Sequence, residues 1–335
     1  MRKNDFIVDP WRVIERSFPA GRDNAQKLGF LLRYAILAPS SHNTQPWKFE
    51  INDDVIWVYI NKDRWLKVAD ADQRELYTSV GCALENLVIA AEHFGYRHRV
   101  QYFPERANRK VVAEVKLSPN GNPSPFRDPS LFDAITARHT NHKAYEPRQI
   151  SFDDRRSIED CVVEEGVSLH LTDDLELKRK VDHLVNRADA IQFADPAFRE
   201  ELGYWIGQGA FDSRWLIAKL SQLALSYLDL GQYSAKKDSE LLMSAPVLGI
   251  LYSKENDHTA QIITGQVFER IYLKTTVLGI GLQPMSQLTE VPEVKAELAK
   301  LIPVAGQYPQ QPFRLGYAEP EHKHTPRRPL EEALR

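Results

Sequence analysis

The sequence predicts an α+β protein in which mainly antiparallel strands pack with long helices. Two observations carry this. Strand-like runs come in groups, at residues 47–60, 98–117, 246–253 and 313–317. Long helical stripes separate the groups, without the regular strand–helix alternation of a doubly wound sheet. At 335 residues the chain is long enough for about two domains, each with its own core.

Each element has a local cause. Leu28, Leu31, Leu32, Ala35 and Ile36 recur at helical spacing, and Pro39 stops that helix. Residues 47–60 read as two strands joined through the turn formers Asn52-Asp53-Asp54. Val80, Leu84, Leu87, Val88 and Ala91 mark one face of a second helix, with Gly95 as its cap. Strands follow near 98–103 and 111–117. The Pro-, Asn-, Gly- and Ser-rich stretch 118–129 then separates two halves. The second half opens with a short helix (131–137) and the polar run Arg138-His139-Thr140-Asn141-His142, after which 152–243 reads as mostly helical. Residues 246–253 read as a buried strand. Ile263, Val267, Ile271 and Leu278 lie near one face of a long helix from about His258, ending at Gly279-Ile280-Gly281 before Leu282-Gln283-Pro284-Met285-Ser286. A strand at 313–317 precedes a tail carrying Pro326-Arg327-Arg328-Pro329.

Composition excludes several function classes. The net charge is −3 and no long basic run occurs, which argues against a nucleic-acid partner. Cys82 and Cys161, the only cysteines, lie far apart in helical-looking segments and read as buried free thiols. No apolar run approaches the ~20 residues of a membrane span. The first residues lack an apolar signal-peptide core, so a cytoplasmic location is expected. His139 and His142 form only an H-x-x-H pair, too weak for a metal site. Ser40-Ser41-His42 lacks the G-x-S-x-G setting of a hydrolase. Gly279-Ile280-Gly281 lacks the third glycine and preceding strand of a dinucleotide fingerprint.

The most informative stretch is Pro39-Ser40-Ser41-His42-Asn43-Thr44-Gln45-Pro46-Trp47. Two prolines hold it extended, and its Ser, Asn and Gln side chains offer hydrogen-bond groups on a stiff loop, a good lining for a polar, planar ligand. It resembles the P-S-x-x-N-x-Q-P-W signature of the flavin-dependent nitroreductases. Arg138-His139-Thr140-Asn141 resembles that family's arginine run, Gly279–Ser286 its turn at the flavin, and Arg327-Arg328 its C-terminal basic arm. By themselves, Arg138 also suits a helix C-terminus and Arg327-Arg328 a solvated tail.

The resemblance implies FMN as cofactor. It implies contacts from Pro39, Ser40, Ser41, Asn43 and Gln45 in the loop, and from Arg138, His139, Thr140 and Asn141 around phosphate and ribityl chain. Gln283, Pro284 and Met285 would stand beside the ring, and Arg327 and Arg328 would close over the phosphate. NAD(P)H and an electron-poor acceptor, a nitroaromatic or quinone, would alternate in a ping-pong cycle. No catalytic side chain is required, because the flavin carries the chemistry. Each motif occurs once, split between the halves. That order resembles the Acg branch: two fused nitroreductase-like lobes, 1–120 and 125–335, forming a pseudo-dimer with one flavin between them, as a monomer or a homodimer of such chains. Residues 155–237 match no motif and would supply a lid or an extra helical layer. A lidded protein that stores flavin with little turnover is the alternative.

Overall fold

The computed structural model describes residues 9–105, 110–209, 239–303, 306–320 and 323–335. Two four-stranded antiparallel sheets form its frame. The first holds β1 (Trp47–Asn52), β2 (Val55–Ile60), β3 (Tyr96–Tyr102) and β4 (Val111–Pro119), in the order β1-β2-β4-β3. The second holds β5 (Val167–Thr172), β6 (Val247–Ser253), β7 (Gly281–Pro284) and β8 (Tyr308–Gly316), in the order β5-β6-β8-β7. The two sheets therefore share one topology.

The helices repeat the pattern. In the first half α1 (Asn24–Ala35) precedes the sheet, and α2 (Arg74–His93) links β2 to β3. In the second, α3 (Ser130–Ala137) and α4 (Phe152–Glu159) come first, α5 (Leu175–Ala194) and α6 (Pro196–Gly207) separate β5 from β6, and α7 (His258–Val277) links β6 to β7. Short helices α8 (Gln287–Glu290) and α9 (Pro292–Leu301) follow β7, and α10 (Leu330–Ala333) lies near the end. Asp23 caps α1 by accepting from the Gln26 N–H at 2.8 Å, and Asp257 caps α7 through the Ala260 N–H at 2.8 Å. This is the α+β pair of related lobes that the sequence implied.

α2 and α7 cross at the centre, and glycines set how closely. A Cβ on Gly81 would lie 2.1 Å from the Ile262 carbonyl oxygen; one on Gly265 would lie 2.1 Å from that of Thr78. Thr78 and Ile262 each stand three residues before their glycine, so the contact is reciprocal. Nearly every residue of α2 is buried, and one apolar core runs through both helices and both sheets. Cys82 and Cys161 are buried free thiols, as expected.

Three expectations need correction. β5 falls inside the stretch read as helical: Val167, Leu169 and Leu171 alternate too briefly to stand out between helices. The turn expected at residues 282–284 is strand β7, paired with β8. β8 begins at Tyr308 rather than near 313, because Pro309 and Pro312 masked it. Both prolines lie where β7 does not reach, so no ladder donor is missed on that side. A further asymmetry concerns connections. β1 and β2 are joined by Asp53-Asp54, with Asp53 in the left-handed region (φ 53°). The matching connection, residues 173–246, instead carries α5 and α6, and its residues 210–238 lie outside the described residues. Among the described residues, no helix is long and apolar enough to cross a membrane.

The crossing yields a prediction. Gly81→Ala should force α2 and α7 apart and cost roughly 1–3 kcal/mol. Gly203→Ala, on exposed helix α6 with open space at its Cβ position, should stabilise by up to ~1 kcal/mol. Denaturant midpoints of the two variants check this, and equal midpoints would contradict the close-crossing argument.

Candidate functional site

The loop after α1 is folded tightly on itself. Ser40 Oγ accepts the Gln45 N–H at 2.9 Å, and His42, Asn43 and Gln45 all adopt positive φ, at 47°, 51° and 50°. Non-glycine residues enter that region at a cost, so surrounding contacts must hold them there. The C-terminal arm supplies those contacts. Asn43 Nδ2 donates to the Pro326 carbonyl at 2.9 Å, and Arg327 Nη1 donates to Asn43 Oδ1 at 2.9 Å. The Arg328 N–H donates to Gln45 Oε1 at 2.8 Å, and its Nη1 to the Gln45 carbonyl at 3.3 Å. Trp47 then enters β1 fully buried.

Behind the loop two guanidinium groups meet. Arg138 caps the end of α3, and Arg327 comes from the arm; they are 3% and 8% exposed. Both donate to one acceptor, the Leu37 carbonyl, at 3.1 and 3.2 Å. Arg138 lies over the Tyr272 ring at 4.8 Å and Arg327 over the Trp11 ring at 4.6 Å. The Nε atoms of both are buried and find no hydrogen-bond partner among the described residues. Burial and the neighbouring Arg138 hold Arg327 well below the ordinary arginine value. These are two cations brought together with little to neutralise them.

The carboxylate facing them is Glu269, on α7. Its Oε1 is 3.7 Å from Arg138 Nε, and neither oxygen has a hydrogen-bond partner among the described residues. Burial pushes it up to about 7 despite both arginines. Its positional counterpart is Glu85 on α2, since each glutamate stands four residues after the crossing glycine of its helix. Glu85 has a different setting. Arg127 reaches it at 2.8 and 3.1 Å, Arg270 at 2.8 Å, and Gln266 at 3.1 Å. Burial works to raise Glu85 too, but Arg127 and Arg270 outweigh it and hold it at about 2. One site of the pair is a satisfied ionic core, and the other keeps spare positive charge.

The remaining predicted residues spread out from this centre. Tyr272 OH donates to Thr140 Oγ1 at 2.7 Å and lies 3.2 Å from the His139 and Leu282 carbonyls. The Asn141 N–H also meets the Leu282 carbonyl, at 3.2 Å, which ties the 138–142 run to β7. The His139 ring stacks on His324, and His324 on Trp11. Gln283 accepts from Arg314 Nε at 2.7 Å and pairs with His142 at 3.1 Å. Pro284 pairs with Phe313, and Met285 turns into a second apolar cluster with Tyr145 and Leu248. Thus Ser40, Asn43, Gln45, Arg138, Arg327 and Arg328 converge directly. His139, Thr140, Asn141, Gln283 and Pro284 join through Tyr272, β7 or the His324 stack, and Met285 faces away. Pro39 and Ser41 lie at the edge, where Ser41 Oγ is 3.5 Å from Glu290, a carboxyl that burial lifts to about 8.

Helices α5 and α6 lean on this edge. Gln192 donates to Glu290 at 2.7 Å. Phe198, Leu202 and Trp205 form a cluster with Leu66 and Ala69, and Glu201 accepts the Val68 and Ala69 N–H groups. The sequence reading missed Trp11, Glu269, Tyr272 and Glu290. For Glu269 a signal was present, a glutamate and an arginine side by side in a helix otherwise marked by apolar spacing.

The two glutamates predict opposite pH effects. Ionising Glu269 in the fold costs stability that accrues as pH rises from the ordinary glutamate value towards 7. Glu269→Gln should therefore stabilise the protein by about 1–3 kcal/mol at pH 8 and change little near pH 4.5. Glu85 stabilises in its ionised form, above the ordinary glutamate value, and that stability is lost as pH falls towards 2. Glu85→Gln should cost about 3–5 kcal/mol at pH 8, shrinking in acid. Urea midpoints at several pH values measure both, and shifts of the same sign at pH 8 would refute the contrast.

No protein-family model matches the chain. Several curated proteins do. Rv3131 of Mycobacterium tuberculosis, provisionally named an NAD(P)H nitroreductase, is 24% identical over 338 aligned positions, covering 93% of this chain and 92% of its own. The acg protein of the same organism is 24% identical over 320, covering 90% and 93%. PigM of Serratia, a provisional NAD(P)H nitroreductase, is 26% identical over 344, covering 92% and 93%. Among solved structures, the FMN-dependent nitroreductase NfnB from Mycobacterium smegmatis is 14% identical with a TM-score of 0.41, covering 62% of this chain and 97% of its own. The chain is thus similar, along nine-tenths of its own length and theirs, to proteins provisionally named NAD(P)H nitroreductases.

Proposed function

We propose that the chain is an FMN-binding oxidoreductase that passes electrons from NAD(P)H to an electron-poor acceptor, a nitroaromatic or quinone, in alternating half-reactions. The observation that carries this is the buried Arg138–Arg327 pair with its unpartnered Nε donors. Such a pair fits a phosphate: two permanent cations with planar donor sets, already desolvated and fixed by Leu37. The names of the relatives support the electron donor and the reaction class.

The proposed roles are distributed over both lobes, 1–120 and 125–335. Arg138 and Arg327 hold the phosphate, while Arg328 braces Gln45. Thr140 and Asn141 stand along the ribityl path, with His139 beside them. Pro39, Ser40, Ser41, Asn43 and Gln45 line one side of the ring, Gln283 and Pro284 shape the other through β7, and Met285 packs behind them in its apolar cluster. The chemistry that FMN supplies when bound is hydride acceptance and release. The chain's residues bind, orient and shield, and none is assigned as acid or base. A cytoplasmic protein with one site per chain fits this reading, as a monomer or as a dimer of such chains.

A second reading, flavin storage, is favoured by α6, whose Phe198, Leu202 and Trp205 lie against residues 66–69 beside the loop. Binding and reduction separate the outcomes. Arg138→Ala and Arg327→Ala should each weaken FMN by about 10- to 150-fold and riboflavin, which lacks the phosphate, hardly at all. Equal losses for both ligands would remove the phosphate role. Anaerobic NADH or NADPH should bleach the loaded protein, and a nitroaromatic should restore its colour. Bleaching by dithionite alone would put storage ahead.

A further inference from the structure

We propose that Glu269 makes phosphate binding at this site proton-coupled: the anion seats on Arg138 and Arg327 only when Glu269 is neutral, so binding draws a proton from solvent. This rests on the phosphate reading above and deepens it.

The geometry argues as follows. The Glu269 carboxyl lies 3.7 Å from the Nε of Arg138, the guanidinium that the anion would use. An ionised Glu269 and a phosphate would be like charges sharing two cations in a desolvated space, where such repulsion is strong. Besides the two arginines, the Asn86 amide on α2 favours the carboxylate, but less than burial opposes it. From α2 it is faced by Glu85, itself ionised, by the Asn86 amide and by the Cys82 thiol, which burial raises far above its ordinary value. From the end of α3 it is faced by Arg138, and from the C-terminal arm by Arg327. On its own helix Arg270 is turned to Glu85 and Glu164, and Tyr272 donates to Thr140. His139 and His324 stack beyond the arginines, and burial and those charges lower His324 to about 4, so it stays neutral near pH 7.

The counterpart position shows what a committed ion pair looks like in this fold. Glu85 has two arginines at hydrogen-bonding distance and stays ionised. Glu269 has Asn86 on α2 where Glu85 has Arg270 on α7, because Asn86 and Arg270 each follow their helix's glutamate. That single exchange leaves Glu269 undercompensated, poised near neutrality at about 7. Above that value the free protein holds an ionised Glu269 that leans on Arg138. An incoming phosphate takes over Arg138, and Glu269 takes up the proton.

The test uses the intact chain, stripped of bound ligand, with FMN and riboflavin as probes. From pH 7 to 9 the FMN dissociation constant should rise by about tenfold per unit, the slope for one linked proton. The riboflavin constant should stay level. Glu269→Gln should flatten the FMN profile to within about twofold and bind FMN tighter than the native chain at pH 9. Calorimetry of the native protein at pH 8.5, in buffers of different ionisation enthalpy, should count about one proton taken up per FMN. This readout does not depend on a variant folding. An uptake near zero, or the same slope in native and Glu269→Gln protein, would overturn the proposal. If FMN and riboflavin bind alike at every pH, the phosphate reading itself fails. If FMN outbinds riboflavin by one constant factor at all pH values, only the proton coupling fails.

Discussion

The contact between Gly81 and Gly265 is the constraint on which the rest of the molecule depends. With hydrogen in place of a side chain on both, α2 and α7 approach until backbone meets backbone. Two sheets of the same strand order then flank one crossing. Every residue near it acquires a counterpart, and function arises where counterparts have diverged.

The divergence is electrostatic. At Glu85 the charges close on themselves: Arg127, Arg270 and Glu164 form a connected network in which each cation meets a carboxylate. At Glu269 they do not close. Helix α1 ends in apolar Ile36, whereas α3 ends in Arg138, and a second arginine arrives on the arm. Buried charge without a partner costs stability, and the proposed phosphate would supply that partner. The arm is held in turn by the strained loop and by Trp11, whose Nε1 donates to the Thr325 carbonyl at 2.9 Å. Residues from both ends of the chain thus secure the same corner. Helices α5 and α6 lie on the neighbouring face, in the place that a two-residue turn holds in the first half.

Much of the frame was legible because its periodicity was long. The helices around Leu28 and Val80, the Asp53 turn and the strand at 246–253 follow from local pattern alone. β5 was not legible, since six residues of alternation between helices resemble a helical fragment, and the start of β8 was hidden by prolines that only an unpaired strand side permits. In the site, the loop at Ser40–Gln45 and the basic residues Arg138 and Arg327 stood out as motifs, and the structure brings them together. Glu269 showed only as a charge beside Arg270, and Tyr272 not at all, because their importance depends on what faces them across the α2–α7 crossing. Met285 illustrates the reverse: a motif position whose side chain the fold directs into an apolar cluster instead.

The central claim is that one of two equivalent positions was closed by ion pairs while the other kept its charge for a phosphate. Counting the flavin released by denaturing the FMN-saturated protein tests it most directly. The account predicts one FMN per chain. Two per chain would mean that the Glu85 position also binds, and none would mean that the Arg138–Arg327 pair serves another purpose; either result contradicts it.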